Sequence, residues 1–423
     1  MFLVWGGASA RETDHRAAAV RRSNKRARHG RKNEEPGVGV SNRTRLTLWT
    51  RSGGRCQFCN DPLLGDWLSG KDQLNNGYVA HIVAESAGGP RGDPHRSPKL
   101  ADDVDNLMLL CNAHHRLIDG NDTSQDYPEA LLLAMKAAHE TRIDIVTGIA
   151  PDRASHVLLY SARVGEHDCP ARYDLAKAAM LPERFPAVRE PIALDLTRCE
   201  FGDHEPEYWS IQSPNLRRQF DRKVRDQLAD GHIKHLSVFA LAPQPLLIEL
   251  GRLLSDIPAV TVHQLHREPQ GWDWRDSRDP VVFEANEKVG IGMSVALILS
   301  LSAIITDDRI EAVLGDAPIW RITVPQPDRD IIHRHDDLGR FRETVRRTFD
   351  QIKAVHGQDA AIHVFPAMPV SAAVELGRVW MPKADLPLII YDENRAHGGF
   401  EPRLTIGQIS SPTKAARKEL DHA

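Results

Sequence analysis

The pattern of apolar and polar positions divides the 423-residue chain into three textures. Residues 1–40 mix Arg, Lys, Ser, Gly and Ala with few large apolar side chains. Such a stretch buries too little surface to offset its ordering entropy, which predicts a disordered arm. "SNRTRLTLWTRSGG" then reads as a helix, capped by Ser41 or Asn42 and ended by Gly53 or Gly54. A segment rich in Cys and His follows as far as Gly120, and "YPEALLLAMKAAHETRIDIV" predicts a second helix with Pro128 in its first turn. After "TGIAPDRA", which has the composition of a linker, short apolar runs alternate with helix-like stretches, the signature of α/β structure. The expected organisation is an arm (1–40), an α+β domain (41–146), a linker (147–157) and an α/β domain (158–423).

The α/β part contains an internal repeat. "VFALAPQPLLIELGR" (Val238 to Arg252) and "VFPAMPVSAAVELGR" (Val364 to Arg378) are identical at seven of fifteen positions without a gap. "IALDLT" precedes the first copy as "VALILS" precedes the second. Each copy has an Arg-rich helix between these segments, and each is followed by a Pro and an apolar strand, "PAVTVHQL" and "PLIIYDEN". Two doubly wound, Rossmann-like halves, about 185–275 and 290–400, related by a pseudo-twofold axis, are the simplest architecture. Ligands of such sheets sit beyond the carboxyl ends of the strands, where helix N-termini offer free N–H groups to anions. A ligand with approximate symmetry of its own would suit the crevice between the halves.

Charge adds a polarity to this layout. The net charge of −4 hides thirteen Lys or Arg against four acidic residues within positions 1–55, so the amino-terminal end is suited to an anionic partner. No run of about 18 apolar residues occurs, which argues against a membrane span, and "MFLVWGGASA" makes a poor signal peptide. Five cysteines, three of them at metal-site spacing, favour a reducing cytoplasm over a disulfide framework, with Cys169 and Cys199 as free thiols.

The candidate chemistry lies between residues 56 and 119. Cys56 and Cys59 form "CQFC", and Cys111 and His114 form "CNAH". Two pairs of this spacing offer a Cys3His tetrahedral site, closed and therefore structural, for Zn2+. Upstream of the second pair, His81 follows a strand-like run and precedes a Gly-rich loop in "GYVAHIVAESAGGPRGD". Asn106 opens "NLMLLC", and Asp119 lies one helical turn beyond His115 on the same face.

His, Asn and His within a zinc-clasped frame resemble the HNH nuclease motif of the ββα-metal fold. The resemblance implies that His81 is the general base activating water for attack on a phosphodiester, a task for which a neutral imidazole is suited. It makes His115 a ligand of a catalytic divalent ion, Mg2+, with Asp119 as a second ligand and Asn106 either orienting His81 or binding the metal. The position before the base, often an acidic or His ligand in this family, is Ala80 here. Arg91 and Arg96 are candidate contacts to the DNA phosphate backbone.

The repeated "IELGR" and "VELGR" segments with their following strands resemble the SAVED domain, whose two halves each look like the CARF sensor fold. Together the two parts resemble the HNH-SAVED effectors of CBASS antiphage defence, from about Ser41 onward. That family implies a cytoplasmic endonuclease for double-stranded DNA, switched on when a cyclic di- or trinucleotide made by a partner synthase binds SAVED and drives homo-oligomerisation to a dimer or tetramer. Candidate ligand contacts at the strand ends are Arg267, Trp272 and Trp274 in "HREPQGWDWRD", and Tyr391 and Arg395 in "YDENRAHGG". Pro243 and Pro369 open helices whose free N–H groups could face phosphate. Two other readings fit the same residues: a zinc-containing DNA-binding regulator with an inactive HNH domain, and an HNH enzyme that cleaves RNA or nicks one strand.

Overall fold

The computed structural model describes residues 39–65, 74–165, 171–196, 199–275, 279–290, 294–394 and 397–409. The basic arm falls outside these apart from Gly39 and Val40, as does Cys169. Two compact units meet between Ile143 and Asp144.

The first unit opens with α1 (Asn42–Arg51), whose Ser41 cap accepts the Thr44 amide at 3.2 Å. An antiparallel hairpin pairs β1 (Gly77–His81) with β2 (Leu107–Cys111), His81 standing opposite Leu107. Between them lie α2 (Ser97–Leu100) and the loop that carries the glycines. β2 runs without a break into α3 (Asn112–Asp119), with Cys111 at the helix start, and α4 (Glu129–Thr147) follows. Leu48, Ala80, Leu107 to Leu110, Ile118 and Leu132 make the core. Four consecutive apolar residues in β2 are all buried, so this strand is covered on both faces.

In the second unit β3 (Ala154–Ala162) is the central strand of an all-parallel sheet. β4 (Phe185–Pro186) and β5 (Ile192–Leu196) pair with it on one side, β6 (Leu236–Leu241) on the other, and β7 (Val260–Val262) lies beyond β6. The connections are α5 (Tyr173–Ala179), α6 (Pro206–Phe220), a π-helical turn leading into α7 (Asp226–Ala229), and α8 (Gln244–Leu254). A short hairpin, β8 (His266–Arg267) and β9 (Gln270–Gly271), leads onward. The second sheet contains β10 (Glu284–Lys288), β11 (Val295–Ser300), β12 (Ile319–Thr323), β13 (Ile362–Ala367), β14 (Leu388–Asn394) and β15 (Gly399–Ile406). Its order is β10-β12-β11-β13-β14-β15, parallel except at its two outer strands. α9 (Asp307–Leu314), α10 (His335–His356) and α11 (Val370–Val379) connect its parallel strands.

The orders β5-β3-β6-β7 and β12-β11-β13-β14 are the same topology used twice. This corrects two sequence expectations. The partner of "VALILS" (β11) is β3, not "IALDLT", which is β5 and corresponds to β12. The first half therefore begins near Ala154, well before residue 185. The expected linker 147–157 is correspondingly short, since α4 reaches Thr147 and β3 starts at Ala154. The misreading has a physical origin: both central strands are apolar and buried, and burial pattern alone does not say which neighbour in the sheet a strand takes.

The repeated "ELGR" is where the halves meet. α8 and α11 pack so closely that a Cβ on Gly251 would run into the Val374 carbonyl, and one on Gly377 into the Ile248 carbonyl. These positions correspond in the two copies, so the contact is its own mirror under the pseudo-twofold axis. The glutamates obey the same symmetry. Glu249, fully buried, is held by Arg217 (2.6 Å) and Arg252 (2.5 Å); Glu375, 1% exposed, is held by Arg342 (3.2 Å) and Arg378 (2.9 Å). Each carboxylate takes one Arg from the long crossover helix and one from its own helix. A buried carboxylate without such partners would be strongly destabilising.

Gly377→Ala is expected to lower the unfolding free energy by about 1–3 kcal/mol through overpacking. Gly339→Ala in α10, where the nearest atom to a new Cβ is 4.0 Å away, should instead stabilise by up to about 1 kcal/mol. Urea unfolding of both variants checks the contrast; equal effects would contradict the close approach.

Candidate functional site

The "CQFC" turn and the α3 start are brought together by Gln57. Its amide exchanges with the β2 backbone, Gln57 N to Leu109 O at 2.9 Å and Leu109 N to Gln57 Oε1 at 2.8 Å, which clips the turn onto the strand. One ligand atom each of Cys56, Cys59, Cys111 and His114 then lie within 4.8 Å of one another. His114 Nδ1 is 3.0 Å from Cys111 Sγ and 3.9 Å from Cys56 Sγ. A tetrahedral Zn2+ site, with Zn–S about 2.3 Å and Zn–N about 2.0 Å, has S···N edges of roughly 3.5 Å, between these two values. Phe58 stacks on the His114 ring at 4.1 Å and fixes its plane. Burial, with neighbouring Asp61 and Cys56, pushes the Cys59 thiol up to about 12. A divalent cation in the cluster would reverse that and hold the thiolate form. The donor set thus suits a closed site.

His81 ends β1, and its Nε2 lies 2.9 Å from the Ala101 carbonyl. A carbonyl only accepts, so Nε2 carries the proton and Nδ1 keeps a lone pair. Asn106, 5% exposed, spends its side chain on the backbone: Oδ1 accepts from Val83 N, and Nδ2 donates to Val83 O and Leu100 O. It holds the chain just past His81 through these backbone bonds, an arrangement that suits the orienting role.

His115 and Asp119 sit one turn apart on α3, Nε2 to Oδ2 3.5 Å, with Tyr78 stacked on the imidazole at 5.5 Å. That spacing suits two adjacent ligands of one ion, and Mg2+ takes few protein ligands while keeping water or phosphate oxygens in the rest of its shell. Ala80 is fully buried and offers none. Arg91 is not an exposed phosphate contact: its side chain is 10% exposed and bonded to Asp119 and three backbone carbonyls. Arg96 is half-exposed, but both guanidinium arms are taken by Glu129.

In the second unit, the sensor candidates separate. Trp272 (3% exposed) and Tyr391 (5%) are core residues, the first edge-on to Phe239 and the second stacked on Phe365 with its hydroxyl 2.9 Å from His363 Nδ1. Their size made them look like stacking platforms; packing against a strand uses them up. Arg267 is exposed on the β8–β9 hairpin, and Pro369 is the buried cap of α11. Arg395 lies outside the described residues. Trp274 remains half-buried, its ring facing His263 at 6.0 Å and its edge meeting His335 at 5.5 Å.

His263 was missed in the sequence. It follows β7 directly, stacks on Phe239 at 4.2 Å, and is 4% exposed with Nδ1 lacking a hydrogen-bond partner among the described residues. The signal was there in "TVHQLH", a polar residue at the carboxyl end of an apolar strand. Its neighbour Gln264 accepts from Ser371 N (3.2 Å) and Oγ (2.6 Å), and Gln244 accepts from Met368 N (3.2 Å). The N-termini of α8 and α11 are thus laced together at the strands' carboxyl ends. A separate cleft of about 860 Å3 lies at the amino end of β7, lined by Arg342, Arg346 and Arg378. Those three guanidinia are paired with Glu375, Asp350 and Asp385, while a fourth lining arginine, Arg347, donates to Thr344 Oγ1 at 3.4 Å.

Residues 216–406 match the family of the SMODS-associated and fused to various effectors sensor domain, SAVED. This segment is a SAVED domain. The match starts within α6, so β3 and β5, which complete the first sheet, precede it. No curated protein matches the sequence. Among solved structures, the chain is similar to the Acinetobacter baumannii Cap4 SAVED/CARF-domain containing receptor with the cyclic trinucleotide 2'3'3'-cAAA. That likeness has 11% identity, a TM-score of 0.41, and covers 65% of this chain and 56% of that one. The same receptor without a named ligand gives 11% identity and 0.38, covering 74% and 65%. The Moraxella osloensis Cap4 receptor gives 10% identity and 0.35, covering 72% and 65%. The chain spans a little over half the length of the first of these. Among the described residues, no helix is long and apolar enough to cross a membrane.

Burial lowers His263 to about 3 and His235 to about 4. The unfolded chain takes up these protons near pH 6.5 and the folded one far lower. Between those values the unfolded state binds more protons, so stability falls as pH drops, by up to about 1.4 kcal/mol per pH unit for each group. Asp392, pushed up to about 7 by burial, acts in the opposite sense over the same range. Replacing His263 by Phe is therefore expected to make the decline of stability between about pH 6.5 and 5 shallower by one proton's worth. Urea midpoints measured across that range check it, an unchanged slope being the contrary result.

Proposed function

We propose that this chain is a metal-dependent endonuclease for double-stranded DNA, switched on by a cyclic oligonucleotide bound to its SAVED domain. The observation that supports this reading is the presence, in one chain, of a SAVED domain and of His81, with a free Nδ1 lone pair, framed by a Cys3His cluster. Cyclic trinucleotide binding by the Cap4 receptor with 2'3'3'-cAAA belongs to that protein; here the ligand class is part of the proposal.

In the proposed reaction His81 Nδ1 takes a proton from water as its oxygen forms a bond to phosphorus, and the departing sugar oxygen takes a proton from solvent. The Ala101 carbonyl stabilises the imidazolium that results. Asn106 fixes the backbone that carries the ring. His115 and Asp119 would hold Mg2+, which neutralises charge developing on the phosphate. Cys56, Cys59, Cys111 and His114 would hold Zn2+, replacing part of the core that a small unit lacks. On the sensor side, the joined N-termini of α8 and α11 would receive a phosphate of the ligand, and the exposed part of Trp274 would offer a base a stacking surface. A ligand that prefers the assembled state would shift the population toward it.

Purified protein with Mg2+ and plasmid DNA, tested against a panel of cyclic di- and trinucleotides, is expected to cleave with one activator only, and His81→Ala to lose at least about 100-fold in rate. DNA binding without cleavage under every condition would replace this reading with the regulator one. Cleavage with no activator would remove the switch.

Elemental analysis should find one zinc per chain, lost in Cys111→Ser together with protease resistance of residues 41–143. Unchanged resistance after complete chelation would rule out a structural ion.

A further inference from the structure

Arg91 stands in the "GGPRGD" loop with φ of +56°, a conformation that disfavours side chains other than glycine. The loop is curled tightly to put it there: a Cβ on Gly89 would fall 2.6 Å from the Ala84 Cβ, and one on Gly92 would run into the Ser86 carbonyl. From this position the guanidinium spans two elements. Nε donates to Ile82 O (2.6 Å) and Nη1 to Ile118 O (2.7 Å), while Nη2 donates to Asp119 Oδ1 (2.7 Å) and lies 3.5 Å from His81 O. It ties the end of β1, which carries His81, to the end of α3, the helix that carries His115 and Asp119. Its charge also complements the carboxyl end of that helix.

Asp119 is thereby divided. Oδ1 is held by Arg91, and Oδ2 is left facing His115 Nε2 at 3.5 Å. Since position 80 is Ala, no ligand comes from β1 to help orient a cation, so the direction of Asp119 Oδ2 matters more than it would in a fuller shell.

We propose that Arg91 is the positioning residue of this site: it aims the free oxygen of Asp119 at a divalent cation shared with His115 and sets the distance between that cation and His81, without touching DNA. The inference rests on the catalytic reading of the site above. Groups that orient metal ligands from behind typically alter affinity or activity by about 10–100-fold when removed.

The test uses the full chain loaded with zinc, with Mn2+ as a paramagnetic probe counted by EPR. Arg91→Ala, and Arg91→Lys as the milder variant, are expected to weaken Mn2+ binding by about 10–100-fold. They should also lower kcat on plasmid DNA with little change in KM or its salt dependence. Zinc content and thermal unfolding verify that each variant is folded; if Arg91→Ala fails this, Arg91→Lys decides. Adding either change to Asp119→Asn should cause no further loss of Mn2+ affinity, whereas a merely structural role would make the losses additive. Unaltered Mn2+ affinity with raised KM and a reduced salt slope would overturn the proposal in favour of a phosphate contact. A wild-type chain that binds no Mn2+ overturns it as well. Mn2+ binding that responds to Arg91 in a protein that never cleaves would refute the nuclease reading alone.

Discussion

The contact that organises the second unit is the approach of two helices with nothing between their backbones. Gly251 and Gly377 each sit against a carbonyl of the facing helix, and only the absence of a Cβ permits it. Because the same segment makes both sides of the contact, one short sequence specifies a pseudo-twofold axis. Other features follow from it. The glutamate two residues before each glycine is sealed from water and must be paired, which the flanking arginines accomplish. The amino ends of α8 and α11 come together, where Gln244 and Gln264 accept from the backbone N–H groups of Met368 and Ser371.

The first unit is organised differently. Its apolar core is small, and polar side chains do much of the tethering: Gln57 fastens the cysteine turn to β2, Asn106 secures the chain after β1, and Arg91 joins β1 to α3. The adjacent His114 and His115 illustrate how one helix divides labour. Successive residues on a helix point about 100° apart, so His114 turns toward Cys111 and Phe58 while His115 turns toward Tyr78 and Asp119.

Legibility differed between the two units for a physical reason. Two pairs at short spacing each bring their side chains together through a tight turn, so the convergence of "CQFC" and "CNAH" could be read from the sequence, and the four side chains do converge. The repeat was legible because two copies share seven identities. Individual ligand contacts were not. Trp272, Trp274 and Tyr391 are alike in the sequence as aromatics near strand ends, yet two are packed in the core and one keeps part of its surface. Arg91 and Arg96 both read as surface cations, and both are engaged by carboxylates. Which partner a long polar side chain finds depends on elements distant in the chain.

By itself, then, the sequence determined what is local or periodic: the capped helix at Ser41, the two short-spaced Cys and His pairs, the His–Asn–His order, and two copies of one α/β unit. These are set by spacing along the chain, through bond geometry and helix or strand period. Tertiary structure decided what depends on neighbours: that β3 completes the first half, that Asn106 is bound to backbone, that His263 is buried against Phe239, and that Arg91 spans two elements. Burial and hydrogen-bond partnership are properties of the packed state, where a side chain's free energy is set by groups that the order of residues does not place beside it.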